Sequence, residues 1–295
     1  MASVKRRLPG NAVGEFYVDS TCIDCDQCRQ IAPATFRAKG EHSIVFRQPV
    51  TADEARQAEK AMVTCPTGSI GALEKRDLSE VIASYPGRIH GSVHFCGFAS
   101  ADTYGGSSYL IVRPQGNVLV DSPRFARHLV RRIEEMGGVR FMFLTHVDDV
   151  ADHAKFRSHF GCERVMHADD ARFPVERSIE GREATRLDDD LLVIPTPGHT
   201  KGHQVLLYAG RMLFTGDHLA WSPERHTLTA YRDVCWYSWT EQTRSMEKLL
   251  AYRFEWVLPG HGHRHQCSSE EMRRHLERCV RSMKGERKRS TRAIS

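Results

Sequence analysis

Four cysteines near the N-terminus are spaced as ligands of an iron-sulfur cluster. Cys22, Cys25 and Cys28 are separated by two residues each, and Cys65 lies further along the chain. Thiolates three residues apart on a tight loop can bind one side of a cubane cluster, and a distant fourth cysteine can bind the other side. A run that served a second cluster would carry another cysteine at the position of Ala32. We therefore expect one 4Fe-4S cluster, bound by these four cysteines.

Two other interpretations of these cysteines are less favoured. A zinc site made of four cysteines usually takes them as two separated pairs, which differs from three evenly spaced cysteines. The second alternative is a set of buried thiols that bind nothing. The sequence has nine cysteines and no apolar signal segment at its N-terminus. We therefore expect metal or redox chemistry in a cytoplasmic protein, and no disulfide framework.

A second group of candidate ligands lies in four loops that are rich in histidine and aspartate. Each loop follows a short apolar run that predicts a β-strand. Loops at strand ends are where a rigid sheet presents binding and catalytic residues. The loops span residues 145–153, 197–203, 215–218 and 259–265. Because imidazole and carboxylate groups bind divalent metals, the pattern predicts a second metal centre.

Helix and strand signals surround these candidate ligands. Three capping boxes, each a serine or threonine followed three residues later by glutamate, predict helices capped at Thr51, Ser238 and Ser268. Apolar residues at helical spacing predict another helix over residues 125–136. Short apolar runs predict strands at residues 109–112, 118–120, 141–144, 191–194, 205–208, 212–214 and 256–258. The pattern indicates a layered α/β domain that follows a small cysteine-rich domain.

The sequence divides into four segments on this pattern. Residues 1–76 form the cysteine-rich domain, and residues 77–91, with a break at Pro86-Gly87, form a linker. The larger domain covers residues 92–283. Residues 284–295 form a basic tail that we expect to be disordered.

The charge and hydropathy patterns exclude two classes of partner. The chain has 42 Lys and Arg residues against 37 Asp and Glu residues, and the excess of basic residues lies in the C-terminal tail. A body with balanced charge argues against an extended nucleic-acid surface, which needs a concentrated positive face. No apolar run approaches the roughly 18 residues that a membrane span requires. We therefore expect a small-molecule substrate.

The cysteine-rich domain resembles a known family. Residues 15–72, with the three evenly spaced cysteines and the Cys65-Pro66 pair, resemble the monocluster ferredoxins. The resemblance implies an α+β ferredoxin-like fold, one 4Fe-4S cluster and a surface at which a redox partner could dock.

The larger domain resembles a second family. The four loops of histidine and aspartate match, in order and context, the metal-binding motifs of the metallo-β-lactamase fold over residues 92–283. This resemblance implies an αββα sandwich, in which two mixed sheets are flanked by helices. The loop at residues 197–203 is also similar to that of glyoxalase II-type thioesterases.

The second resemblance implies a set of metal ligands. It assigns the first metal to His146, Asp148 and His199, the second metal to Asp152, His153 and His261, and a bridging position to Asp217. Two departures from the family pattern affect this set. Asp148 stands where the family has a histidine, and the Asp152-His153 pair comes two residues late, so Asp149 could replace Asp148 as the ligand. The number of metals, one or two, and their identity, zinc or iron, stay open.

The leading functional hypothesis is a metal-dependent hydrolase acting on an ester or thioester. A metal lowers the pKa of bound water toward neutrality, and Asp152 and Asp217 would orient the resulting nucleophile. Other polar residues are candidates for facing the substrate: His94, Tyr104, His203, His218 and His263. Hydrolysis ranks first because most members of the fold hydrolyse their substrates.

Two other functional classes stay open. Carboxylate-rich sites suit iron, and the flavodiiron proteins of this fold carry a carboxylate at the position of Asp148. His146, His199 and Asp217 could also form the 2-His-1-carboxylate site of a mononuclear iron, as in persulfide dioxygenases of this fold. Either case gives an iron-dependent oxidoreductase that receives electrons through the cluster. The third class, a domain that has lost activity and only binds, is the least favoured because the candidate ligand set is complete.

Overall fold

The structure is a computed structural model that describes residues 2–290, with the side chains described up to residue 285. It divides into two compact units. Unit 1 comprises Met1–Met142 and Val150–Cys162, and unit 2 comprises Phe143–Asp149 and Glu163–Ser295. None of the helices described within residues 2–290 is long and apolar enough to cross a membrane.

The elements of unit 1 include short strands and five helices within its described residues. The strands are β1 (Phe16–Val18), β2 (Phe36–Lys39), β3 (His42–Val45), β4 (Ile70–Ala72), β5 (Gly87–His90), β6 (Val93–Phe95), β7 (Tyr109–Ile111), β8 (Val118–Val120) and β9 (Phe141–Phe143), which ends at the boundary with unit 2. The helices are α1 (Gln27–Ile31), α2 (Ala52–Thr64), α3 (Ser79–Ala83), α4 (Arg127–Glu135) and α5 (His153–Phe160).

The cysteine-rich domain is built from two small antiparallel strand pairs and two α-helices. Strand β1 pairs with β4 and strand β2 pairs with β3, both antiparallel. Their apolar side chains pack with α2, and the core includes Phe16, Phe36 and Ala61 together with the cysteines Cys28 and Cys65. The core therefore holds two of the candidate cluster ligands in place.

The capping box at Thr51 is confirmed. The Thr51 hydroxyl accepts a hydrogen bond from the backbone N–H of Glu54 at 3.1 Å, and the Glu54 carboxylate accepts one from the N–H of Val50 at 2.8 Å. The first bond satisfies an N–H group that the first turn of α2 leaves without a helical partner, and the second ties the residue before the cap to that turn. Helix α2 leads directly to Cys65, so its start also sets the position of that ligand.

Replacement of Thr51 by alanine is expected to lower the free energy of unfolding by about 1 kcal/mol, because the Glu54 N–H loses its acceptor. Urea unfolding followed by far-ultraviolet circular dichroism measures the change. Thr51→Ser is the matched control, since serine keeps the hydroxyl, and it should stay close to the wild-type value. Equal decreases in the free energy of unfolding in the two variants would show that the Thr51 hydroxyl does not stabilise the start of the helix.

The segment predicted as a linker has regular structure. Residues 77–91 contain helix α3 and strand β5, and β5 pairs antiparallel with β6. Strands β5 to β9 are neighbours in chain order. Backbone pairing thus makes residues 87–90 part of this sheet. Their side chains alternate between partly exposed and exposed, and the segment has no continuous apolar run that would predict a strand.

Unit 2 continues the chain with strands β10 to β19 and two helices, α6 and α7. The strands are β10 (Glu163–His167), β11 (Arg177–Ile179), β12 (Thr185–Asp188), β13 (Leu191–Pro195), β14 (Gln204–Tyr208), β15 (Met212–Gly216), β16 (Ala220–Ser222), β17 (Thr227–Thr229), β18 (Trp256–Pro259) and β19 (His265–Gln266). The helices are α6 (Trp239–Leu249) and α7 (Ser269–Ser290).

A six-stranded sheet positions three of the four ligand loops. Its order is β12-β13-β14-β15-β18-β19. Strand β15 is parallel to β18, and both β13 and β15 are antiparallel to β14, so β13, β15 and β18 run in the same direction. Their C-terminal ends therefore lie along one edge of the sheet. The loops that follow these three strands begin at that edge.

One face of this sheet is buried against α6 and α7. Side chains such as Ile194, Leu213 and Val257 of the sheet pack with Met246 and Leu276 of the helices. Helix α7 continues to Ser290 and so includes residues 284–290 of the expected tail. The remainder of the expected tail, residues 291–295, lies outside the described residues.

Candidate metal centres

The four N-terminal cysteines line one small pocket in unit 1. All are free thiols; Cys28 and Cys65 are buried, and Cys22 and Cys25 are partly exposed. Burial raises the pKa of Cys25 to about 12 and also raises the pKa of Cys28. A metal that binds these sulfurs would deprotonate them, so four converging thiols of this kind fit an iron-sulfur cluster.

Backbone N–H groups support two of the sulfurs. The N–H of Ser43 donates to Sγ of Cys22 at 3.4 Å, and the N–H of Ser69 donates to Sγ of Cys65 at 3.3 Å. Hydrogen bonds to cysteine sulfur help to set the reduction potential of a cluster. This local support is further evidence that the pocket suits thiolate ligands.

Gly105 lies against the candidate cluster site. Its φ is +86°, and a Cβ added there would lie 2.6 Å from Cβ and 2.9 Å from Sγ of Cys25. The Gln27 side chain holds this segment by donating to the Gly105 carbonyl at 2.9 Å and to the Ser107 hydroxyl at 2.8 Å. Only a glycine lets the backbone approach the sulfur this closely.

We expect Gly105→Ala to reduce the cluster content, because the new methyl group displaces Cys25. Iron and acid-labile sulfide per chain, measured after anaerobic purification, report the loss. Gly91→Ala is the matched control, since Gly91 also has a positive φ, +54°, but open space around its Cβ position. The same cluster loss in both variants would attribute the effect to backbone strain and not to the contact with Cys25.

The second centre lies in unit 2 and contains two buried histidines and two aspartates. His146 follows β9, His199 follows β13 and Asp217 follows β15. Nε2 of His146 lies 3.6 Å from Oδ2 of Asp217 and 3.9 Å from Oδ2 of Asp148. Nε2 of His199 lies 3.7 Å and 3.6 Å from the same two oxygens. Ligands about 2.0–2.3 Å from a tetrahedral metal are separated by roughly 3.3–3.8 Å. His146, Asp148 and His199 form one group of potential ligands, and Asp217 lies at a comparable distance from both imidazoles.

Asp149 forms a second group with His146 and Asp217. Its side chain is buried, and neither carboxylate oxygen accepts a hydrogen bond. A Cβ on Gly260 would lie 2.7 Å from Oδ2 of Asp149 and 2.7 Å from Oδ1 of Asp217, so this glycine lets both carboxylates approach the loop after β18. A buried carboxylate without hydrogen bonds is costly unless a cation compensates it. This group therefore also fits a metal.

The electrostatics of the centre favour a positive charge. Burial, followed by the charge of Asp217, raises the pKa of Asp149 to about 6. Burial opposes protonation of His261, but the charges of Asp217 and Asp149 outweigh it and raise the pKa of His261 to about 10. Nδ1 of His261 lies 2.8 Å from Oδ1 of Asp217. The neighbouring carboxylates thus favour the protonated, cationic form of His261. A divalent metal bound here would compensate the same negative charge.

Asp170, which was not among the predicted site residues, holds two ligand loops together. This buried carboxylate follows β10 and accepts hydrogen bonds from the backbone N–H of Val147 at 3.2 Å and of Gly202 at 2.7 Å, and from the Thr200 hydroxyl. It therefore joins the loop of His146 to the loop of His199. The signal in the sequence was an Asp-Asp pair directly after an apolar run, as in the ligand loops.

Two of the expected substrate-facing histidines are buried in unit 2. His203 and His218 have no exposed surface, and their rings stack with centroids 4.8 Å apart. Burial lowers the pKa of both, so they are neutral imidazoles. Nδ1 of His203 lies 2.9 Å from the Thr196 hydroxyl. Both side chains are therefore closed to solvent in the structure.

Asp152 and His153 belong to unit 1. The Asp152 carboxylate accepts a hydrogen bond from the Phe125 N–H at 2.7 Å and pairs with Lys155 at 2.7 Å, while His153 begins α5. Neither is in the ligand groups found among the described residues. Helix α5 starts immediately after Asp152, and the Asp152 carboxylate is engaged with these two partners.

The other three residues predicted to face the substrate, His94, Tyr104 and His263, differ in exposure and in contacts. Nδ1 of His94, on β6, lies 3.1 Å from the Ser92 carbonyl, and Tyr104 is 58% exposed. The backbone carbonyl of His263 accepts a hydrogen bond from the N–H of Trp221 at 3.0 Å. His94 and Tyr104 belong to unit 1, and His263 belongs to unit 2.

An aromatic segment lies beside His199 and was missed at the sequence level. The backbone N–H groups of Trp236 and Tyr237 donate to the His199 carbonyl at 2.9 and 3.0 Å. The Trp236 ring is 65% exposed, and its centroid lies 6.2 Å from that of His199. Tyr231 and Val234 are exposed as well. The signal available in the sequence was a group of four large apolar residues, Tyr231, Val234, Trp236 and Tyr237, shortly before the capping box at Ser238.

Residues 18–72 match the family model described as the 4Fe-4S single cluster domain of Ferredoxin I. Ferredoxin-1 of Desulfocurvibacter africanus is 37% identical over 57 residues, which cover 19% of this chain and 88% of that protein. These matches confirm the ferredoxin resemblance, and the domain carries the four cysteines described above.

The fold is similar to solved metallo-β-lactamase structures. The DIM-1 metallo-β-lactamase exposed to ceftazidime has a TM-score of 0.51 and 18% identity, with 66% of this chain and 95% of that chain covered. ETHE1 from Myxococcus xanthus has a TM-score of 0.48 and 22% identity, with 63% and 84% covered. The first likeness confirms the predicted fold of the larger domain. The chain therefore belongs, through residues 18–72, to the single-cluster 4Fe-4S ferredoxins, and this domain is joined to one with the metallo-β-lactamase fold.

Proposed function

We propose that the centre in unit 2 binds metal through both neighbouring aspartates of the first ligand loop. The first metal takes His146, Asp148, His199 and Asp217. The 3.6–3.9 Å separations among their ligand atoms support this set. A second metal would be held by Asp149 and Asp217, with His261 beside them.

The donor set favours iron over zinc. Asp148, Asp149 and Asp217 bring three carboxylates to the centre, beside the imidazoles of His146, His199 and His261. Zinc sites in proteins are typically rich in imidazole or thiolate, and carboxylate-rich sites suit harder metals such as iron or manganese. The presence of three carboxylates, one of them at the position where the fold family has a histidine, is the observation that carries the functional proposal.

The protein is accordingly proposed to be an iron-dependent oxidoreductase that acts on a small electron acceptor. When bound, the iron and the 4Fe-4S cluster would supply one-electron chemistry. Reduction of an acceptor needs protons as well as electrons, and the His261 imidazole, with Nδ1 2.8 Å from Oδ1 of Asp217, is a group beside the centre that would supply one. The exposed Trp236 and Tyr237 would cover the substrate on the side of His199. The ferredoxin domain would accept electrons from a redox partner.

Metal analysis and turnover measured on the same anaerobic sample test this proposal. We expect iron in excess of the four atoms of the cluster, and consumption of oxygen or of an oxidised sulfur compound that depends on an added reductant. The control is the same assay without reductant. Zinc in unit 2 together with reductant-independent turnover of a thioester would overturn the redox proposal.

Hydrolysis is the second candidate. The likeness to the DIM-1 metallo-β-lactamase supports it, because that protein shares the fold and its name describes a hydrolytic enzyme class. In this case Asp149 and Asp217 would orient a water molecule. Turnover of ester and thioester substrates without reductant is the result that this alternative predicts.

A further inference from the structure

A second cluster of histidine and cysteine lies elsewhere in unit 2. His265 is on β19, Cys267 follows it by two residues, and His275 is on α7. One ligand atom from each residue lies within 4.8 Å of the others. All three side chains are partly exposed, so a metal ion could reach them from solvent. None of them belongs to the ligand groups of the centre described above.

The surrounding residues hold both imidazoles in place. The Trp221 ring of β16 stacks on His265 with centroids 3.5 Å apart and an angle of 3°, and it meets His275 edge-on at 5.0 Å. Nδ1 of His275 lies 3.2 Å from the Thr227 hydroxyl of β17. Metal-binding histidines commonly donate one ring N–H to such a partner, which leaves the other nitrogen as the ligand. Fixed rings lower the entropy lost when a metal binds.

The donor set selects a class of metal. Two imidazoles and one thiolate are borderline-to-soft ligands, which suit Zn²⁺ and disfavour Mg²⁺ and Ca²⁺. With three protein ligands, a tetrahedral Zn²⁺ would take water in the fourth position. The ligands come from β19 and its continuation on one side and from α7 on the other, so a metal would join these elements.

We propose that His265, Cys267 and His275 form a zinc site that links β19 to α7. The cysteine at this site binds as thiolate and releases its proton to solvent when the zinc enters. The site does not depend on the reaction at the first centre, and it would stand if the proposed oxidoreductase activity failed.

The test is a zinc count on the full chain with the cluster intact. Untagged protein is purified anaerobically, equilibrated with Zn²⁺ and freed of excess metal. We expect Cys267→Ser to contain one zinc per chain less than the wild type, with the iron content and the cluster absorbance unchanged. His275→Gln should show the same loss. Cys235→Ser is the matched control, since this half-buried thiol of unit 2 donates to the Gly198 carbonyl and serine can do the same.

A second readout identifies the ligand. Co²⁺ bound by the wild type should give a thiolate-to-metal charge-transfer band that is missing in Cys267→Ser and present in Cys235→Ser. Equal zinc contents in the wild type, Cys267→Ser and His275→Gln would overturn the proposal. A Co²⁺ band that persists in Cys267→Ser would also overturn it, because the thiolate would then come from another residue. If Cys267→Ser fails to fold, His275→Gln decides the question with the same two measurements.

Discussion

Asp217→Ala is expected to remove metal from the centre in unit 2 and to abolish turnover. The Asp217 carboxylate contributes to both ligand groups: Oδ2 lies within 3.7 Å of two imidazoles, and Oδ1 lies 2.8 Å from Nδ1 of His261. Loss of residues that only orient a ligand typically weakens metal binding by about 10- to 100-fold, so loss of this ligand should weaken it by at least about 100-fold. Metal content after dialysis measures the effect.

The control for Asp217→Ala is Asp169→Ala. Asp169 is an aspartate of the same unit that pairs with Lys201 at 2.8 Å on the surface. This variant should keep its metal, and both variants should keep the cluster absorbance because the cysteines lie in another domain. His199→Ala should behave as Asp217→Ala does.

The same measurement separates the two neighbouring aspartates. We expect Asp148→Ala and Asp149→Ala each to lower the metal content, since each carboxylate belongs to one ligand group. Full metal content in both variants would contradict the ligand set proposed above. Asp152→Ala should keep its metal, because that carboxylate is engaged with Phe125 and Lys155.

Cys25→Ser is expected to remove or strongly deplete the 4Fe-4S cluster while the metal in unit 2 stays bound. Cys25 is one of four converging thiols, and a serine hydroxyl is a poor substitute for the thiolate ligand of iron. Iron and sulfide analysis, together with the visible absorbance, measures the cluster. If the protein is an oxidoreductase, reductant-dependent turnover should fall to background as well.

Cys96→Ala is the matched control for this experiment. Cys96 is a buried thiol of unit 1 that lies outside the cluster pocket. The variant should keep the cluster and its turnover. If Cys25→Ser loses its cluster yet retains full turnover, electron transfer through the cluster is excluded and hydrolysis becomes the favoured function.

Local sequence signals predicted much of the secondary structure. All seven apolar runs form strands, with ends shifted by two residues at most, because such runs are buried on the sheet. The three capping boxes begin α2, α6 and α7, since a cap needs only residues three positions apart. Short strands with polar residues, such as β12 and β16, gave no such signal. Their positions depend on backbone pairing with the next strand, β13 for β12 and β17 for β16.

The sequence by itself determined the ligand types and the loops that carry them. The spacing of Cys22, Cys25 and Cys28 is a local property that a tight loop converts directly into a cluster site. The histidine and aspartate loops were recognisable because each follows an apolar strand. The environments of Asp148 and Asp149 could not be predicted, because the short helical turn at Val147–Asp149 exposes the first carboxylate and buries the second.

Only the tertiary structure decided which side chains meet. Strands β13, β15 and β18 bring His199, Asp217 and His261 to one sheet edge although these residues are far apart in the chain. Asp170 joins two loops from a third position, and His203 and His218 are enclosed and not exposed. Spacing specifies neighbours within one element, whereas strand order and burial arise from long-range packing, which no local pattern in the sequence encodes.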